Sequence, residues 1–386
     1  MADFSDLSSA LSERKANHLY RQRRELATAQ GATVVVEGKT YINFCSNDYL
    51  GLANHPDVLD AFQQAASEFG VGSGSSHLVC GHSSLHHQLE QRLAAFLGRD
   101  RALLFSTGYM ANLGVINALL GKNDFIFQDK LNHASLLDAG LLSGARFQRF
   151  LHNDIASLET RLQKADAGRK LIAVDAVFSM DGDLAPLQAL SQLAEQYDAC
   201  LMADDAHGVG VLGQRGAGCA EFFNLDQQQL PIVMGTLGKS FGSFGAFVAG
   251  SEDLIETLIQ FSRSYIYTTA LPPAVAAASL ASLKIIQSDA ARRQHLQALI
   301  GLFKAQAQAL GLPLMPSDTA IQPLLIGSSE QALVISDALA AKGFLISAIR
   351  PPTVPANSAR LRITLTAAHT VQQLEELLSA LAEVAW

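Results

Sequence analysis

Cysteine is scarce in this sequence. Four occur in 386 residues (Cys45, Cys80, Cys200 and Cys219), and no two form a C-x-x-C pair. That spacing offers neither a disulfide framework nor a zinc knuckle, and a reduced, cytoplasmic protein is the expectation. Excess positive charge is also absent: 28 Lys and Arg against 36 Asp and Glu give a formal net charge of −8. That balance disfavours a general nucleic-acid binder, whose footprint is a basic face, and an anionic ligand must be held by a few local Arg or Lys residues. No run of eighteen apolar residues occurs, so no membrane span is expected. Residues 1–17 are polar and mixed in charge, without the apolar centre of a signal peptide. There is no internal repeat and no low-complexity tract.

What is present is apolar and regularly patterned. Hydrophobic residues make up 49% of the chain, enough for a large core, and the length suits one large domain with a smaller one. Short apolar runs at 102–105, 125–127, 171–177, 200–203, 232–234 and 246–249 alternate with helix-like stretches at 58–69, 85–97, 110–120, 187–197 and 254–261. Such alternation predicts an α/β architecture with a mainly parallel sheet. Past about residue 290 the pattern changes to helices at 292–310, 331–342 and 371–384, with strands near 321–326, 344–349 and 361–365. The expected division is an N-terminal segment 1–50 packing with the small domain, a large domain 51–290 and a small α+β domain 291–386.

Three motifs fail on their surroundings. Gly208-Val-Gly210-Val-Leu-Gly213 fits the dinucleotide fingerprint, yet Gln-Arg-Gly-Ala-Gly-Cys follows it, a loop where a helix must open. Gly238-Lys239-Ser240 resembles the end of a P-loop, but Val233 stands where that loop needs its first glycine. His82 and His86 have zinc-ligand spacing without an intervening glutamate or an evident third ligand, which favours solvated or capping histidines. No metal is expected.

Lys239 lies in Gly235-Thr-Leu-Gly-Lys-Ser-Phe-Gly-Ser-Phe-Gly245, directly after an apolar strand. A solvated loop lysine normally has charged flanks. Here they are small and apolar, so a planar group can approach the backbone, and desolvation lowers the amine's pKa toward reactivity. A Schiff base to pyridoxal 5′-phosphate (PLP) fits that chemistry. Asp204 and His207 stand in Asp204-Asp-Ala-His207-Gly at the end of another apolar strand, where ligands of open α/β sheets bind. Asp204 suits the carboxylate that keeps a pyridine nitrogen protonated; a helix-capping Asp is the competing reading. At an effective dielectric near 20, an ion pair at ~4 Å is worth roughly 4 kcal/mol. Ser106-Thr-Gly108-Tyr109-Met-Ala-Asn opens a helix and offers either an anion cradle or a plain N-cap. His133 in Asp129-Lys-Leu-Asn-His-Ala-Ser, and Ser179 in Val177-Phe-Ser-Met-Asp-Gly, follow two further strands. There an imidazole can stack on a planar ring and a hydroxyl can reach a phenolic oxygen.

Five strand ends thus supply, in order, an anion cradle, an imidazole, a hydroxyl, an Asp…His pair and an enclosed Lys. The pattern resembles fold type I of the PLP enzymes, and within it the α-oxoamine synthase family, over nearly the whole chain. Its most specific pieces are Asp204-Asp-Ala-His207-Gly, Gly235-Thr-Leu-Gly-Lys239, Tyr267-Thr268-Thr-Ala-Leu-Pro-Pro273 and Arg360-Leu-Arg-Ile-Thr-Leu-Thr-Ala-Ala-His369. The resemblance implies that Lys239, His133, Asp204 and His207 are catalytic. Gly108, Tyr109 and Thr236 would hold the phosphate. His133 would stack on the ring, Asp204 pair with its nitrogen, and Ser179 and His207 contact its phenolic oxygen. Thr268 would reach the phosphate of a neighbouring subunit, which implies a homodimer. Further motifs narrow the resemblance: Tyr20-Arg21-Gln-Arg-Arg24, Asn43-Phe-Cys-Ser-Asn-Asp-Tyr-Leu-Gly51, His77-Leu-Val-Cys-Gly-His82 and Ile349-Arg-Pro-Pro-Thr-Val-Pro355. They imply L-alanine and a pimeloyl thioester as substrates, with Arg21 and Thr353 on the acyl chain and Asn47 and Arg362 on the amino-acid carboxylate. Sister synthases using glycine or serine remain the near alternatives, and a nicotinamide oxidoreductase the distant one. The segment after Ala220, with Asp226-Gln-Gln-Gln-Leu, departs from the family pattern as an insertion.

Overall fold

The computed structural model describes residues 6–384; residues 1–5 and 385–386 of the two terminal segments lie outside the described residues. The chain forms two compact units, a larger one of residues 50–179 and 183–293 and a smaller one of residues 1–49, 180–182 and 294–386.

The larger unit is organised by seven strands. They are β1 (Arg101–Phe105), β2 (Phe125–Asp129), β3 (Arg146–Phe150), β4 (Lys170–Asp175), β5 (Cys200–Asp204), β6 (Ile232–Thr236) and β7 (Ala246–Gly250). Their order across the sheet is β1-β7-β6-β5-β4-β2-β3. Neighbours from β3 to β6 pair in parallel, and β7 runs antiparallel between β6 and β1. This is the doubly covered sheet that the continuous apolar runs predict, since a parallel strand is buried on both faces. Ile126, Ala173, Met202 and Met234 pack there with Val115 and Ile116 of a covering helix. Tight packing explains Gly235: a Cβ at that position would lie 2.3 Å from the Phe247 ring on the paired strand. β3 gave no strand signal in the sequence, because it is an edge strand with only Phe150 fully buried. The helix Pro273–Ser288 likewise had no clear amphipathic stripe to announce it.

Because β1, β2, β4, β5 and β6 share one direction, their C-terminal ends open on the same edge of the sheet. Helices α1 (Ser84–Leu97), α2 (Gly108–Leu119) and α3 (Ala134–Leu142) belong to this unit. In the smaller unit, Thr33–Val36 and Lys39–Asn43 form a hairpin joined by Phe344–Leu345. A second sheet there sets Ala359–Thr364 between Ile321–Gly327 and Ser347–Ile349, all antiparallel. The four cysteines are unpaired. Among the described residues no helix is long and apolar enough to cross a membrane.

Candidate active site

A cleft of about 180 Å³ opens at the strand ends of the larger unit. Gly108, Tyr109, His133, Ser179, Asp204, His207, Thr236 and Lys239 all line it. Eight of the nine residues expected around the cofactor are thus in one place. The ninth, Thr268, is not among the lining residues; it sits in a half-exposed segment whose neighbour Thr269 bridges to Ser76.

Asp204 ends β5 and is 6% exposed. Its Oδ2 accepts from Asn112 Nδ2 at 2.8 Å and its Oδ1 from the Ala206 amide at 3.1 Å. Two donors of fixed direction aim the carboxylate. Asp205, one residue on, faces away, as side chains alternate along extended backbone. Its Oδ2 accepts from the Cys219 amide at 2.7 Å, and burial outweighs that bond to push its carboxyl up to about 7. The Asp-Asp pair therefore has one member in the cleft and one in the packing beneath, which excludes a shared metal.

His133 caps the start of α3. Its backbone amide donates to Asp175 Oδ2 at 3.0 Å, and its Nδ1 lies 2.7 Å from Ser135 Oγ. Burial lowers the pKa of the ring; the Asp204 charge opposes this and the Lys239 charge adds to it. The imidazole is neutral near pH 7 and able to stack or to donate one proton. Lys239 and His207 meet from adjacent loops, with Lys239 Nζ 2.7 Å from His207 Nε2. The Lys loop folds back on itself, since the Gly242 amide donates to the Lys239 carbonyl at 2.8 Å. Gly242 has φ +61°, and a Cβ there would lie 2.2 Å from the Ala53 amide nitrogen, so glycine is required. Thr236 Oγ1 donates to the Gly245 carbonyl at 3.0 Å and accepts from the Gly238 amide at 3.2 Å.

Gly108 is the first residue of α2, whose capping Thr107 accepts from the Met110 amide. The amides at the start of that helix and its dipole suit a phosphate. The Tyr109 hydroxyl donates to Asp138.

Three supports, Asn112, Ser135 and Asp175, were not legible in the sequence. Asn112 holds Asp204 across 92 positions and also donates to Ser135 Oγ at 2.8 Å. Asp175, read as part of a strand, is buried beside Asp204 in the sheet register. Burial, with the like charge of Asp204, raises its carboxyl well above the ordinary range. Its Oδ1 is buried without a hydrogen-bond partner while the residue lines the cleft. An orphaned carboxyl oxygen in a cleft signals a polar group to be held there. With an amine, an oriented carboxylate, a neutral imidazole and a helix N-terminus around it, the cleft fits PLP.

Substrate residues expected in the sequence fall in the smaller unit as two pairs. Arg362 Nη2 donates to Asn47 Oδ1 at 3.1 Å and Nη1 to Thr364 Oγ1 at 2.9 Å, with Arg362 6% exposed. Arg21 Nη2 donates to Thr353 Oγ1 at 3.0 Å. The dinucleotide reading of Gly208–Gly213 gains nothing: those residues form turns, and no helix opens at them. His86 is a capping histidine, accepting from the Ser83 amide at 2.9 Å.

A family model described as aminotransferase class I and II matches residues 39–381. A curated protein named 8-amino-7-oxononanoate synthase, from Cellvibrio japonicus (strain Ueda107), is 65% identical over 378 residues, covering 98% of this chain and 95% of its own. A solved variant of serine palmitoyltransferase from S. paucimobilis, with bound PLP–myriocin aldimine, is 31% identical with TM-score 0.93, over 98% of this chain and 96% of its own. A crystal structure named 8-amino-7-oxononanoate synthase, from Francisella tularensis, is 32% identical with TM-score 0.78, over 89% of this chain and 97% of its own.

Proposed function

This chain belongs to the class I and II aminotransferase family, and on that premise we propose that it is a PLP-dependent acyltransferase of biotin biosynthesis. It condenses L-alanine with a pimeloyl thioester to 8-amino-7-oxononanoate, releasing CO2 and the carrier thiol. The observation that supports the chemistry is the meeting of Lys239, His207 and Asp204 in one cleft. The relative at 65% identity supports the choice of substrates.

When bound, PLP supplies an electrophilic carbon for amines and an electron-accepting ring. Lys239 is the amine that would hold it, and its Nζ would take the α-proton of the amino acid. Asp204 keeps the ring nitrogen protonated, and Asn112 keeps Asp204 in place. Ser179 and His207 fix the phenolic oxygen. The α2 N-terminus at Gly108 and Tyr109, with Thr236, receives the phosphate. His133 would lie against the ring, and its imidazole N–H would donate to the thioester carbonyl oxygen as that oxygen gains charge. Arg362 with Asn47 takes the amino-acid carboxylate, and Arg21 with Thr353 takes the acyl chain.

Thr268, outside the cleft of its own chain, serves the phosphate of a second copy in a homodimer; a fully active monomer on sedimentation would remove that role. Unpaired cysteines suit the reducing cytoplasm. The test is direct. Purified protein is given alanine, glycine or serine with a pimeloyl thioester, and product is read by mass spectrometry. Product from alanine is expected; product from glycine or serine alone moves the chain to a sister synthase.

A further inference from the structure

We infer that His82, His87 and Glu90 of the larger unit form a binding site for a divalent transition-metal cation of the zinc class. The site shares no residue with the cleft.

The sequence pairs His82 with His86, and the structure dissolves that pair. Both ring nitrogens of His86 are taken: Nδ1 accepts from the Ser83 amide at 2.9 Å, and Nε2 donates to the Leu271 carbonyl at 2.7 Å. A ligand needs a lone pair to spare, so His86 holds the fold. The next residue, His87, points about 100° further round α1 and is exposed; its Nε2 lies 3.0 Å from the exposed Gln91 Nε2, a surface contact that a cation can displace to reach the ring's lone pair. Glu90 follows three positions later on the same face. With His82, these offer three ligand atoms all within 4.8 Å of one another.

The spacing is that of ligands rather than of a hydrogen bond. His82 Nε2 and Glu90 Oε2 are 3.8 Å apart, too far for a good bond. Two ligands that each lie ~2.1 Å from one tetrahedral cation are separated by about 3.4 Å. The other side of His82 is already committed. Its Nδ1 lies 2.8 Å from His77 Nδ1, and with His82 donating there its Nε2 lone pair faces Glu90. An outer hydrogen bond of this kind orients metal-binding histidines. The contact arises because residues 77–81 form a single π-helical turn, which stacks positions five apart. Glu90 is anchored too, its Oε1 accepting from the Leu104 amide at 3.0 Å. Imidazole with carboxylate suits zinc, cobalt or nickel.

A cation here ties the loop carrying His82 to α1. That loop also holds the segment after Thr268, through the Ala270 amide to the Ser75 carbonyl and Ser73 Oγ to the Leu271 carbonyl. Metal binding should therefore stiffen the segment bearing Thr268.

The experiment uses untagged holoenzyme stripped with a chelator. Zinc is titrated calorimetrically, and cobalt is followed by its d–d absorption. One cation per chain is expected, with affinity falling at least tenfold in His87→Gln and in His82→Asn. Saturating zinc should raise the thermal midpoint of the wild type but not of His87→Gln. His87→Gln should turn over normally without metal. Absence of saturable one-to-one binding, or unchanged affinity in His87→Gln, would overturn the site.

Discussion

Lys239 and His207 each stand three residues past the end of neighbouring parallel strands, and their side chains meet at 2.7 Å. Parallel pairing of β5 with β6 produces the meeting, because equal offsets from two adjacent strand ends arrive at one edge. Lys239→Ala should lack the lysine-linked visible band that borohydride abolishes, and turnover should drop by several orders of magnitude. An Ala variant with ordinary turnover would show that another amine does the chemistry.

The two adjacent carboxylates should separate cleanly. Asp204→Asn keeps the fold but loses the charge aimed into the cleft, so PLP affinity, followed by fluorescence titration, should fall at least tenfold. Asp205→Ala leaves the Cys219 amide without its acceptor. It should cost about 1–3 kcal/mol of stability while the cofactor spectrum survives. The reverse pattern would mean that the faces of β5 are assigned the wrong way round.

His152 lies between two carboxylates, Nδ1 at 3.1 Å from Asp129 Oδ1 and Nε2 at 2.9 Å from Asp183 Oδ2. Burial alone would lower its pKa, but the bonds to Asp129 and Asp183 and their charges outweigh it and raise it to about 10. The stabilisation is complete below the ordinary histidine value of about 6.5 and fades as pH rises through about 10. The gap in denaturation midpoint between the wild type and His152→Gln should be widest near pH 6 and shrink towards pH 10. A gap that widened with pH would contradict the clamp.

Strand ends were legible because β4, β5 and β6 are apolar on both faces, so each run stops where the backbone leaves the sheet. Lys239 stood out because its flanks lack the charge of a solvated loop. Asn112, Ser135 and Asp175 did not, for a different reason. An amide in an otherwise apolar helix, or an acid closing a strand, has no periodic signature. Its meaning comes from a partner such as Asp204, 92 positions from Asn112. The His77–His82 contact was hidden because it needs a π-helical turn, whereas helical periodicity relates residues three or four apart.

Tyr20–Arg24 is strongly basic in a chain of net charge −8. A helix with a solvated basic face would account for that composition, but the helix ends at Ala16, before the segment begins. Arg21 is instead drawn to Thr353, 332 positions away, through a 3.0 Å hydrogen bond. Of the guanidinium nitrogens, that bond engages Nη2, and a planar cation has further donors to offer a carboxylate or ester. A charge-assisted hydrogen bond to such a group is worth about 1.5–3 kcal/mol. At 1.4 kcal/mol per decade, Arg21→Ala should raise KM for a pimeloyl thioester roughly ten- to a hundredfold. KM for alanine should hardly move, since its carboxylate is assigned to Arg362 and Asn47. Thr353→Val, which removes the orienting hydroxyl but keeps the cation, should give a smaller rise in the same constant. Steady-state kinetics with each substrate varied in turn decides between the outcomes. Equal losses toward both substrates would reduce Arg21 to a structural residue, and no loss would leave its charge to solvent.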